Sequence, residues 1–179
     1  MGISAWILTP ILTPIQMAAI EANIAGAAVN VFTTSYLYSY IRIGGAGSTL
    51  ALAIMMCRSK STKLKSLGRA GIVPSIFNIN EPIVFGAIAW NPILMIPMCL
   101  NSVACSSIAL LFTKVIPFAK IPDILFQMWY CPYPIVTWLA TSGSIPSVIL
   151  ICVIFVVTIL IWYPFFKIYE RQCLAEESK

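Results

Sequence analysis

The sequence contains no histidine, and only 9% of its 179 residues are charged. The first absence removes the commonest metal ligand and the usual acid–base group of neutral pH. The six cysteines (Cys57, Cys99, Cys105, Cys131, Cys152 and Cys173) form no Cys-x-x-Cys pair, so no zinc-site pattern is present. No metal and no cofactor are therefore expected. A charged fraction of 9% is far below the roughly 25% of a soluble domain. Acids are scarcer than bases, six against eleven, for a net charge of +5. The bases gather in one internal segment and near the C-terminus, with no stripe along a polar face. This excess reads as membrane topology, and nucleic acid is not expected as a partner. The N-terminus also lacks the basic region of a secretory signal.

What is present is apolar. Hydrophobic residues make up 60% of the chain, and the mean hydropathy is +0.93. Residues 83–113 and 124–166 carry no charge, and each run exceeds the roughly 20 residues that cross a bilayer as helix. The expected fold class is an all-α integral membrane protein with several transmembrane helices. Residues 1–28 are apolar but interrupted by Pro10 and Pro14, which are expected to kink or end a helix. Glu21 reads either as interfacial or as facing a cavity. Residues 29–40, with Tyr36, Tyr38 and Tyr40, read as a loop or strand-like stretch near the headgroups. The glycines of Arg42-Ile-Gly-Gly-Ala-Gly-Ser-Thr49 precede a helical run. A phosphate cradle there lacks the lysine and the preceding strand it needs, and close helix packing is the alternative. Residues 58–69, with five bases and no acid, are expected as a cytoplasmic basic loop. That loop reads either as a docking surface or as a topology signal alone. Spans are expected at 90–112 and 147–164, followed by a polar cytoplasmic tail at 167–179.

The stretch Gly71-Ile-Val-Pro-Ser-Ile-Phe-Asn-Ile-Asn-Glu-Pro-Ile-Val-Phe-Gly86 sets one carboxylate, Glu81, in an apolar run. A carboxylate at membrane depth is expensive and marks a functional site by default. Pro74 and Pro82 disfavour one continuous helix, and Pro82 biases Glu81 toward extended backbone. Broken backbone at that depth is tolerated only beside protein or a wet cavity. A re-entrant or discontinuous element around Glu81 is expected, with Asn78 and Asn80 beside it. The alternative is a short loop in which Glu81 is a solvated turn residue. Trp129 reads either as a surface for a sugar or as an interfacial anchor.

Several motifs, taken together and in order, resemble one family. They are Leu12-Thr-Pro-Ile-Gln-Met-Ala-Ala-Ile-Glu-Ala-Asn23, Ile43-Gly-Gly-Ala-Gly-Ser-Thr-Leu-Ala-Leu52, the basic segment 60–69, the Glu81 stretch, Asn91-Pro-Ile-Leu-Met-Ile-Pro97 and Trp162-Tyr-Pro-Phe-Phe-Lys-Ile-Tyr169. The sequence resembles the membrane-embedded IIC component of the lactose/cellobiose/diacetylchitobiose family of the bacterial sugar phosphotransferase system. The resemblance spans residues 1–179 as a partial EIIC domain of this type, the substrate-holding C-terminal half. It implies a permease for a disaccharide such as cellobiose, lactose or diacetylchitobiose. Glu81, Asn78, Asn80 and Trp129 would then be the substrate-binding residues.

The same resemblance implies that the chain is a transport component and not an enzyme. Phosphate would come from a phosphocysteine on a separate IIB partner. The chain would sit in the bacterial inner membrane with its C-terminus cytoplasmic. Its N-terminal half would be missing, and homodimerisation would depend on that half. A truncated inactive remnant, or one half of a split permease, is the alternative reading. The sequence departs from the family at Trp129-Tyr-Cys-Pro-Tyr-Pro134 and Ser142-Gly-Ser-Ile-Pro146, and it lacks the histidine the family carries in a re-entrant hairpin.

Overall fold

A computed structural model describes residues 3–26, 30–125 and 130–178. Among the described residues every regular element is helical, as the expected fold class requires. In order these are α1 (Ile3–Ile24), α2 (Thr34–Tyr36), α3 (Leu50–Cys57), α4 (Thr62–Ile76), α5 (Glu81–Ile83), α6 (Pro92–Leu110), α7 (Ile135–Ala140) and α8 (Ile145–Glu177). Three of them widen into π-type turns, α2 over Leu37–Ile41, α5 over Val84–Ile88 and α6 over Leu111–Val115.

Among the described residues two helices are long and apolar enough to cross a membrane, Pro92–Val115 and Ile145–Glu177. At 1.5 Å per residue the 24-residue run reaches about 36 Å and the 33-residue run about 50 Å. The hydrocarbon core is roughly 30 Å thick, so α8 outruns it and its charged last turns reach water. The two helices run antiparallel. Leu94 near the start of α6 shares a core with Trp162 and Phe166 late in α8. Cys105 and Ala109 share the second core with Leu150, Ile151 and Ile154. Small residues at this contact allow the close backbone approach on which helix association in lipid depends.

Several local expectations are corrected. Pro10 and Pro14 lie inside α1 and so do not end it, while Pro74 lies inside α4 and Pro164 inside α8. Residues 34–41 are helical and partly buried. Thr33 caps them by accepting from the Tyr36 amide at 3.1 Å. The Tyr36 hydroxyl meets Thr113 Oγ1 at 2.9 Å, and the Tyr40 hydroxyl donates to the Lys120 carbonyl at 2.7 Å. These tyrosines are core residues with distant partners, not headgroup anchors. Glu21 is exposed on α1. In the link after α6, Lys120 Nζ lies 2.6 Å from Asp123 Oδ2, and Ser142 Oγ donates to Oδ1 at 3.0 Å. Burial opposes ionisation of Asp123, but these partners outweigh it and hold the carboxyl below its usual value.

The basic segment is a loop only over residues 58–61. From Thr62 it is helix, because the Ser61 side chain caps α4 by accepting from the Leu64 amide at 3.2 Å. The expected tail at 167–179 is likewise the continuation of α8 to Glu177. Its carboxylates hold the start of α4. Glu170 Oε1 accepts from Ser59 Oγ at 2.7 Å and from the Lys60 amide at 3.0 Å, while Oε2 meets Lys167 Nζ at 2.7 Å. Glu177 accepts from Ser61 Oγ at 2.8 Å and from the Thr62 and Lys63 amides at 3.2 and 2.9 Å. An acid there also meets the positive end of the α4 dipole.

Candidate functional site

Helices α4 and α5 form an antiparallel hairpin whose closeness depends on glycine. A Cβ on Gly71 would meet Ile83 Cδ1 at 2.4 Å, and one on Gly86 would meet Leu67 Cδ1 at 2.6 Å. On the other side of α4, a Cβ on Gly68 would lie 2.5 Å from the Cys57 amide nitrogen of α3. The tip of the hairpin is residues 77–80.

The chain breaks there through a defined cap. Asn78 has φ +62°, the left-handed geometry that asparagine tolerates better than most residues. Its amide donates to the Ser75 carbonyl at 3.1 Å and the Ile79 amide to the Pro74 carbonyl at 2.9 Å. This pair of bonds is a Schellman motif with asparagine at the left-handed position. The break therefore falls after Pro74 and before Pro82. Glu81 is the first helical residue of α5, not an extended one, and Pro82 occupies the first turn where proline is tolerated.

Both asparagines are buried and bonded to other segments. Asn78 Oδ1 accepts from the Gly44 amide at 2.9 Å, and its Nδ2 donates to the Cys131 carbonyl at 3.1 Å. Asn80 Nδ2 donates to the Ala46 carbonyl at 2.9 Å and to Thr49 Oγ1 at 3.0 Å. The glycine loop is the receptor for the tip. Its backbone takes positive φ at Gly44, Gly45, Gly47 and Ser48, and the Asn80 amide lies where a Gly45 Cβ would be, 2.5 Å from Asn80 Cγ. The loop is itself pinned to α8, since Trp162 Nε1 donates to the Ser48 carbonyl at 3.2 Å.

Glu81 differs from its neighbours. It is exposed, and its carboxylate makes no hydrogen bond or ion pair with any described residue. The structure thus brings Asn78, Asn80 and Glu81 to one tip, with two amides turned inward and one carboxylate outward. The expectation for Trp129 lies outside the described residues. The Asn78–Cys131 bond joins the following loop to the tip.

Sequence reasoning missed the asparagines' bonds to the glycine loop and the α8 carboxylates on α4. It also missed a groove of about 450 Å³ near the start of α6, lined by Lys63, Trp90, Asn91, Tyr169, Gln172 and Glu176 among others. Trp90 there is 92% exposed. The signal was present in Trp90-Asn-Pro, an aromatic just ahead of a capped span. The groove does not include Glu81.

The fold and this tip define a helical membrane protein that presents one carboxylate at a broken hairpin. Residues 3–102 match the phosphotransferase system EIIC family, and the chain belongs to that family. It is similar to the putative permease IIC component YwbA of Bacillus subtilis, at 38% identity over 97% of this chain and 40% of the relative. It is also similar to the cellobiose-specific EIIC component of Geobacillus stearothermophilus, at 45% identity over 83% of this chain and 33% of the relative. Among solved structures it resembles the transporter ChbC, the IIC component of the N,N'-diacetylchitobiose-specific phosphotransferase system. That likeness has a TM-score of 0.88 and 34% identity, and it covers 97% of this chain and 42% of that one. The chain spans about two fifths of the length of the first of these relatives.

Proposed function

We propose that this chain is the sugar-holding part of a phosphotransferase-system permease for a disaccharide such as cellobiose, lactose or diacetylchitobiose. The observation that carries this reading is the exposed carboxylate of Glu81, without a partner among the described residues, at a tip fixed by Asn78 and Asn80. Glu81 accepts hydrogen bonds from sugar hydroxyls, and bonds to a charged acceptor are the strong ones. Asn78 and Asn80 hold the tip and complete the polar wall. Trp129 covers an apolar face of the sugar, a role that rests on the family resemblance.

The sugar then receives phosphate from the phosphocysteine of a IIB partner, so this chain is a transport component and not the phosphoryl donor. We place it as a multi-pass protein of the bacterial inner membrane. The α4 end and the C-terminus of α8 are cytoplasmic, supported by the bases near them. Homodimerisation is assigned to the part of the relatives that this chain does not cover.

Binding of labelled disaccharides to membranes containing the chain tests the reading. A saturable signal is expected for at least one of the three disaccharides and not for the matching monosaccharides. Folded protein that binds none of them would overturn it.

The exposed bases Arg58, Lys60, Lys63, Lys65 and Arg69 lie on and just before α4, in reach of an acidic partner surface. Reversing Lys60, Lys65 and Arg69 to glutamate is expected to slow phosphorylation by the IIB partner at least about tenfold at low salt, through loss of electrostatic steering. Disaccharide affinity should be unchanged. Undiminished phosphorylation in rate assays across a salt series would count against docking at this face.

A further inference from the structure

Thr49 stands between the glycine loop and the hairpin tip. It is fully buried, at 0% exposure, and its hydroxyl is used in both directions. It donates to the Gly44 carbonyl at 2.8 Å and accepts from Asn80 Nδ2 at 3.0 Å. Gly44 in turn donates its amide to Asn78 Oδ1 at 2.9 Å. A closed ring results, running from Asn78 to Gly44, Thr49 and Asn80 and back through Ile79. Gly44 is held through both its amide and its carbonyl, and Asn80 is the residue next to Glu81.

Neighbouring contacts leave the ring little slack. The Asn80 side chain lies directly on Gly45, where a Cβ would approach its Cγ to 2.5 Å. The Thr49 hydroxyl sits among buried groups, where chained hydrogen bonds polarise one another and an unpaired group is costly. A serine hydroxyl could close the same ring, whereas valine, with the shape of threonine, opens it at two bonds.

We propose that Thr49 is a positioning residue for Glu81: through Asn80 it fixes where the carboxylate is presented at the tip. The role in sugar binding rests on the reading of Glu81 given above, while the positioning itself does not.

The test uses the full chain in membranes and two measurements. The first is the labelling rate of Glu81→Cys by a membrane-impermeant maleimide, located by mass spectrometry, with Ser178→Cys at the exposed end of the chain as control. Adding Thr49→Val is expected to change the rate at position 81 at least about fivefold and leave the control unchanged; Thr49→Ser is expected to restore it. The second is disaccharide affinity in the chain with native Glu81, expected to fall about tenfold in Thr49→Val and to recover in Thr49→Ser, or about 1.4 kcal/mol.

Altered labelling with unaltered affinity would support positioning and overturn the sugar role of Glu81. Unaltered labelling in folded Thr49→Val overturns the proposal. If Thr49→Val does not accumulate in membranes, Thr49→Ala is read in its place by the same measurements.

Discussion

Glu81→Gln is expected to lower disaccharide affinity by at least about 100-fold, since two hydrogen bonds to a charged acceptor are worth roughly 1.5–3 kcal/mol each. Both carboxylate oxygens of Glu81 are acceptors, and no described residue uses them. Glutamine keeps the shape but removes the charge and turns one acceptor into a donor, so the charge-assisted bonds from the sugar hydroxyls are lost. Because the carboxylate bonds to no described residue, thermal stability should be unchanged. Titration calorimetry in detergent reads the affinity and a melting curve reads the fold. Near-native affinity in the glutamine variant contradicts the assignment. Glu81→Asp, which keeps the charge on a shorter arm, should fall between the two.

The second large effect concerns stability. Glu170→Ala is expected to destabilise the protein by about 3 kcal/mol, the scale for stripping buried donors of a charged acceptor. Glu170 is only 5% exposed, and it receives Ser59 Oγ and the Lys60 amide together. Alanine would leave the buried Ser59 without its acceptor and free the turn that leads into α4. Buried Cys173, three residues further along α8, provides the reporter. In a thiol-dye melting assay the midpoint should drop by about 5–10 °C, with earlier labelling of Cys173. A drop below about 2 °C would show that α4 is held by its apolar contacts alone. Glu177→Ala should cost much less, because Glu177 is itself exposed and its bonds to the Thr62 and Lys63 amides are exposed, where water replaces them readily.

The membrane class and the broken element were legible because both depend on local composition. Two uncharged runs require spans, and a carboxylate between prolines in an apolar stretch requires a break. The exact device was less legible. Pro74 was read as a breaker, yet it lies inside α4, and the turn is made by Asn78 in the left-handed region. Prolines in membrane helices are tolerated where other groups satisfy the freed carbonyls, which also accounts for Pro10, Pro14 and Pro164. Tyr36 and Tyr40 resembled headgroup anchors because their partners, Thr113 and the Lys120 carbonyl, lie 77 and 80 residues away.

The basic segment hid a helix. Its start depends on Ser61, and its amides are received by Glu177, 114 and 115 residues on. Asn80 shows the same limit within the site. Its type announced a polar role, but only the fold shows its amide spent on Ala46 and Thr49. Glu81, by contrast, stands out in the sequence as an acid in a setting with few structural uses, and the fold places it exposed at the hairpin tip.

Carbodiimide labelling of the chain in membranes, quantified at Glu81 by mass spectrometry, tests most directly whether the tip carboxylate meets the sugar. The reagent attacks carboxyl groups in apolar surroundings, and no described residue bonds to this one. Labelling at Glu81 should fall in a dose-dependent way as disaccharide is added, while Glu21, exposed on α1, labels independently of sugar. Labelling of Glu81 that stays constant at disaccharide concentrations that saturate binding would contradict the account.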